Sequence, residues 1–143
     1  MEFSTFENLV RGAKEQWKTC GCSDSIQENQ QAIIDTGNPF YIICFAEEVP
    51  GADIAKLQQA IIDTGNLIYI RNFTKIPGAD ISKLQQAIID GKNLLQIFLF
   101  AKDVKEADVK LLQQATIDSK DPAYNEAFSN QIKSATKVEW WKL

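Results

Sequence analysis

No histidine occurs anywhere in the 143 residues. That removes the side chain most used for proton transfer near neutral pH. With it go Ser–His–Asp and Cys–His catalysis and most zinc sites. No Gly-rich phosphate loop is present. Hydrophobic runs are short: "NLLQIFLFA" at Asn93–Ala101 falls well below the ~20 residues a bilayer-spanning helix needs. The stretch "MEFSTFENLV" lacks the charged segment and apolar run of a secretory leader, so a cytoplasmic setting is expected. Cysteine is scarce. Cys20, Cys22 and Cys44 are an odd number without disulfide-scaffold spacing, which fits the same setting. Basic residues are outnumbered, 15 to 19, for a net charge of −4. A nucleic-acid footprint needs clustered Lys and Arg, so direct nucleic-acid binding is not expected. Mild acidity leaves a basic protein partner open. An apolar share of 45% against 24% charged belongs to a globular chain, and the length suits one domain with its own core.

What the chain does have is repetition. "QQAIIDTGN" stands at Gln30–Asn38 and again at Gln58–Asn66; "QQAIID" follows at Gln85 and "QQATID" at Gln113. Phe45, Phe73, Phe100 and Phe128 are spaced 28, 27 and 28. Ser25, Asp53, Asp80 and Asp108 share that spacing, and so do Asn38, Asn66, Asn93 and Asp121. One deletion in "TKIPGA" accounts for the shared missing residue.

The Ile-, Tyr- and Phe-rich "NLIYIRNF" invites a strand. The end signals argue for a helix instead, because Asn38-Pro39 and Asp121-Pro122 each set an N-cap residue before a proline at the first helical position. Tyr41, Ile42, Phe45, Ala46 and Val49 also fall on one helical face. In the other half of the unit, Asp53, Asp80 and Asp108 cap "IAKLQQAIIDT", "ISKLQQAIID" and "VKLLQQATID", and Ser25 with Glu28 forms a capping box. Gly37 and Gly65 are placed as C-caps, and Pro50-Gly51 and Pro77-Gly78 as bends. The spacing thus predicts A helices near 5–19, 39–49, 67–76, 94–104 and 122–137, and B helices near 26–36, 54–64, 81–90 and 109–118. Short connections make neighbours antiparallel. A lone hairpin cannot bury its apolar face, whereas stacked copies can, so "LQQAII" reads as a docking surface rather than an active site.

The phrase "EEVPGADIAKLQQAIIDTGN" resembles short tandem repeats of uncharacterised bacterial and phage proteins. Over roughly Ser25–Phe128 the chain resembles the α-helical hairpin solenoids, the class that includes HEAT-like and tetratricopeptide-like arrays. The expected fold is therefore all-α: a right-handed α-solenoid of about four to five two-helix repeats in a single domain, 1–143. Residues 1–24 form an N-terminal cap, 25–121 the repeats and 122–143 a C-terminal cap. The resemblance implies a scaffold that binds protein and names no cofactor or metal.

Several features admit two readings. "CGC" at Cys20–Cys22 is a turn aligned with "EVP" of the next unit, or part of a three-sulfur metal site with Cys44. The aspartates Asp35, Asp63, Asp90 and Asp118 accept hydrogen bonds from the next helix's free N–H groups, or form a row of catalytic or cation-binding carboxylates. The Gln pairs build a hydrogen-bonded ladder or a row that clamps a peptide. Binding residues are expected where copies differ. Ile43, Arg71, Phe98 and Glu126 share one position, Leu99 lies at the next, and Trp140 and Trp141 are aromatics of hot-spot type or a cover for the last hairpin. The leading expectation is a non-enzymatic protein-binding module, an inhibitor of a host nuclease or defence protein of the phage or plasmid kind. The alternative is a structural or self-assembling homo-oligomer, and an enzyme stands third.

Overall fold

Alternating helix-start and helix-stop residues cut the chain into short helices, and the computed structural model shows where each cut falls. It describes residues 3–20 and 23–139, with side chains described at 4–15 and 26–130. Among the described residues there are nine α-helices and no strand: α1 (Phe3–Cys20), α2 (Ser23–Asp35), α3 (Pro39–Glu48), α4 (Ile54–Thr64), α5 (Leu67–Phe73), α6 (Ile81–Asp90), α7 (Leu94–Asp103), α8 (Val109–Asp118) and α9 (Pro122–Glu139). The odd-numbered helices α3, α5, α7 and α9 are the A type; α2, α4, α6 and α8 are the B type.

The cuts follow local chemistry. Asn38, Asn66, Asn93, Asp53, Asp108 and Asp121 each accept a hydrogen bond from a backbone N–H two or three residues on, satisfying donors that the first turn leaves unpaired. At the other end, Thr36 Oγ donates to the carbonyl of Ile33 at 2.6 Å and accepts from the Asn38 N–H at 3.1 Å. Thr64 and Ser119 make the same pair of bonds, so one hydroxyl links the end of each of these B helices to the next N-cap.

The third copy departs from this device. It reads Gly91-Lys92 where the first two read Thr-Gly, so the linking hydroxyl is missing. Lys92 also sits at φ 54°, the left-handed conformation that Gly37 and Gly65 adopt at 64° and 69°. A side chain there costs on the order of 1 kcal/mol. Restoring the phrase with Gly91→Thr and Lys92→Gly is expected to stabilise the protein by about 1 kcal/mol, read as a higher urea midpoint.

Two kinds of boundary differ from the expected ones. α2 begins at Ser23, so Ser25 lies inside the helix rather than capping it. Ser23, Asp24 and Ser25 all suit a helix start, and the helix takes the earliest; likewise α1 begins at Phe3, ahead of the expected start near 5. At the other end, α5 stops at Phe73 rather than Ile76. Here the missing residue shows its effect. Val49 and Val104 donate to the carbonyls of Phe45 and Phe100 four residues back, whereas Ile76 donates to Phe73 three residues back, at 3.0 Å. The last turn tightens to 3₁₀ geometry. Ile76 is then delivered to the buried position that Val49 and Val104 fill, with one residue fewer.

The chain forms two compact units, Met1–Asp80 and Ile81–Leu143. In the first unit α1 packs on α2 and α3, α2 on α3 and α4, and α3 and α4 on α5. Each helix there meets the next and most meet the next but one, so A helices touch A helices and B touches B. In the second unit α6 packs on α7, α7 on α8 and α9, and α8 on α9. The cores use the repeated residues: Ile42, Phe45, Leu57, Ile61 and Phe73 are fully buried in the first unit, as are Leu84, Ile88, Phe100 and Leu112 in the second. All four aligned phenylalanines are buried, and rings of this size dominate core energetics.

Candidate functional site

The glutamine pair divides its labour. Gln30, Gln58 and Gln85 are buried although polar, and each carboxamide oxygen accepts a backbone N–H from the N-cap aspartate of the following repeat: Asp53, Asp80 and Asp108, all at 2.8 Å. Gln85 Nε2 also donates to the carbonyl of Asp108 at 3.4 Å. This is the ladder expected from the repeat. The second glutamine points the other way. Gln31, Gln59, Gln86 and Gln114 donate to Asp35, Asp63, Asp90 and Asp118 at 2.7, 2.9, 2.9 and 2.8 Å. The aspartates therefore do not serve the following helix, as the sequence suggests. That helix has its own Asn or Asp cap, and the carboxylate turns outward to an amide four residues back on the same face.

With the ladder and core accounted for, the outer surface of the A helices remains. At about 100° per residue, the position two before the buried Ile42 lies on the opposite side of α3. Phe40 is there, 45% exposed. The aligned residues Ile68 of α5 and Leu95 of α7 are 52% and 48% exposed. Ala123 follows at the same position of α9 and is exposed too. An apolar residue thus recurs out of phase with the buried stripe. Sequence reasoning passes over this position when it looks for variation between copies, because this one is constant in character. The signal is nonetheless legible as an apolar residue in the first turn of every A helix.

In the first unit Phe40 belongs to an aromatic run. Its ring tilts against Tyr41 at 6.0 Å, and Tyr41 stacks on the buried Phe6 of α1 at 4.5 Å and 13°. Lys14 and Glu48 form an exposed ion pair at 3.2 Å beside a groove of about 430 Å³ lined by Phe6, Val10 and Arg11. Exposed pairs contribute little, on the order of 0–1 kcal/mol. In the second unit Leu95, Phe98 and Leu99 follow at i, i+3 and i+4 on α7. Phe98 also meets Phe128 edge-on, 6.4 Å between ring centres.

The expected binding residues are distributed accordingly. Ile43 and Arg71 are half-buried in the first unit; Phe98 and Leu99 are half-buried and Glu126 exposed in the second. Phe98 is partly committed to its contact with Phe128, which leaves Leu95 the more open apolar side chain of α7. Trp140 and Trp141 lie outside the described residues, as do the side chains of Cys20 and Cys22. Burial first, then the carboxylates of Glu47 and Glu48, push the Cys44 thiol above its ordinary pKa, so it stays protonated at neutral pH and is a poor nucleophile. Among the described residues no three His, Cys, Asp or Glu side chains group as metal ligands. No helix there is long and apolar enough to cross a membrane.

The chain matches no family model, and no curated protein or solved structure proved similar to it.

Proposed function

We propose that the chain is a non-enzymatic protein-binding module, a right-handed α-solenoid whose B helices carry the glutamine bonds from repeat to repeat and whose A helices present their outer face to a partner. The observation that carries this reading is the apolar residue exposed at one repeated position, Phe40, Ile68 and Leu95, while the buried positions are filled by near-identical side chains. A side chain that stabilised only its own helix would have no reason to be large and apolar there. Like-to-like helix contacts in the first unit, and the glutamine bonds from one repeat to the next N-cap, support the solenoid.

The action such a module takes is occupancy: it covers a surface of a protein partner, in the cytoplasm and without nucleic acid or cofactor, and thereby inhibits it. Phage- or plasmid-borne inhibitors of a host nuclease or defence protein act in this manner, and the resemblance of the repeat to those of phage and bacterial chains points there. The test is capture of a partner by the wild type beside Phe40→Asp, Ile68→Asp and Leu95→Asp. Each substituted residue is about half exposed, so helicity should be unchanged. Loss of the captured protein, tenfold or more in affinity for a true hot spot, is the expected result. Undiminished capture by all three variants would overturn the assignment of this face.

A further inference from the structure

We propose that α8 of one copy docks on α2 of another, giving head-to-tail assembly through the same B-to-B interface that the chain uses internally. The interface is defined by its repeats. On its leading side a B helix offers a glutamine and, four residues on, an isoleucine: Gln30 and Ile34, Gln58 and Ile62, Gln85 and Ile89, Gln113 and Ile117. On its trailing side the next B helix offers an alanine and, three and four residues on, an aspartate and a small residue.

The second unit shows how the two sides meet. Gln85 of α6 accepts from the N-cap Asp108 of α8, and Ile89 and Lys92 of the α6 end line a cavity of about 400 Å³ together with Leu94 and Ile97 of α7 and Ala115, Asp118 and Ser119 of the α8 end. In the first unit α2 and α4 pack together and Gln30 reaches Asp53 in the same way.

Among the described residues the leading side of α8 has no such successor. α9 runs unbroken from Pro122 to Glu139, through position 136, where a 28-residue step from Asp108 would place the next N-cap. Gln113 is accordingly half-buried, where its three counterparts are buried. Ile117 is 48% exposed, whereas Ile34, Ile62 and Ile89 are half-buried. The counterpart of the trailing side is on α2: Ala32, Asp35 and Thr36 align with Ala115, Asp118 and Ser119. No other B helix precedes α2 among the described residues.

Charge favours the same pairing. Residues 1–80 hold eleven acidic and six basic side chains, and residues 81–143 hold eight and nine. The near-neutral unit bearing α8 therefore meets the acidic unit bearing α2. The proposed contact pairs Lys120 with Asp35, the counterparts of Lys92 and Asp118, which line one cavity. Because the two surfaces differ, the contact is heterologous and does not close on itself as a two-fold dimer does.

Sedimentation velocity of the full chain, from about 1 μM to about 1 mM, tests this across the range where a modest interface associates. The mass should climb with concentration past the dimer and fall as salt is raised. Ile117→Asp should weaken association at least tenfold with helicity unchanged. Lys120→Asp should weaken it as well, and Asp35→Lys in the same chain should restore it. A constant monomer mass, a discrete dimer, or association indifferent to Ile117→Asp would each overturn the proposal. Association abolished by Phe40→Asp but not by Ile117→Asp would overturn it too, and would place self-contact on the A helices.

Discussion

Replacing Phe100 with alanine is expected to lower the stability of the second unit by about 3–5 kcal/mol, the range for emptying a buried aromatic site. The ring is 0% exposed on α7, and α7 is the helix that packs on α6, α8 and α9 alike. Removing it costs the transfer free energy of the ring and leaves a cavity. The surrounding helices cannot collapse freely into that space, because most are pinned by their own caps: Asn93 before α7, Asp108 before α8 and Asp121 before α9. Urea unfolding followed by circular dichroism reads the change. Leu111→Ala is the control, since Leu111 on α8 is 54% exposed and should shift stability by no more than about 0.5 kcal/mol. If both variants unfold at the wild-type midpoint, the repeated phenylalanine is not a core anchor and the alignment built on it is wrong.

The helix ends of the B type are legible in the sequence because their signals are local and repeated. α4, α6 and α8 fall at Ile54–Thr64, Ile81–Asp90 and Val109–Asp118, where capping aspartates and the 3.6-residue stripe place them. The shared 27-residue step reveals a deletion, but not how the backbone absorbs it. That depends on a choice between i−4 and i−3 bonding at Ile76, which composition does not record. The aspartate row misleads for a similar reason. A carboxylate at the end of a helix can turn toward the next helix or back along its own. Only the placement of Gln31, Gln59, Gln86 and Gln114 on the outer face decides it.

The candidate surface is legible in part. Phe98 and Leu99 stand out for their variation, and both lie on α7 beside the exposed Leu95. Phe40 and Ile68 do not, because a search for differences between copies discards positions that keep one character. In a repeat protein a constant apolar residue has two possible causes, stacking and presentation. The phase of the residue against the buried stripe separates them: Ile42 and Phe45 are in phase, and Phe40 is half a turn out. The exposed row lies on the A helices and the glutamine ladder on the B helices, so a change in the row leaves the ladder's bonds in place.

The joints are where the second large effect is expected. Gln58→Met keeps the length and volume of the side chain and removes its oxygen. The Asp80 N–H, which now donates to Gln58 at 2.8 Å, then loses its acceptor at a part-buried site. An unsatisfied amide of this kind costs about 1–3 kcal/mol, and a thioether returns some of that through its own burial. The neighbouring substitution Gln59→Met supplies the contrast. Gln59 is exposed, and its bond to Asp63 competes with water on equal terms, so the change should stay within about 0.5 kcal/mol. Two adjacent glutamines, identical in sequence and in propensity, should thus differ severalfold in the cost of one substitution. Amide exchange at Asp80 gives the local readout: protection there should fall in Gln58→Met and persist in Gln59→Met. Equal costs at the two positions would mean that the buried carboxamide is filler, and that nothing but apolar packing joins one repeat to the next.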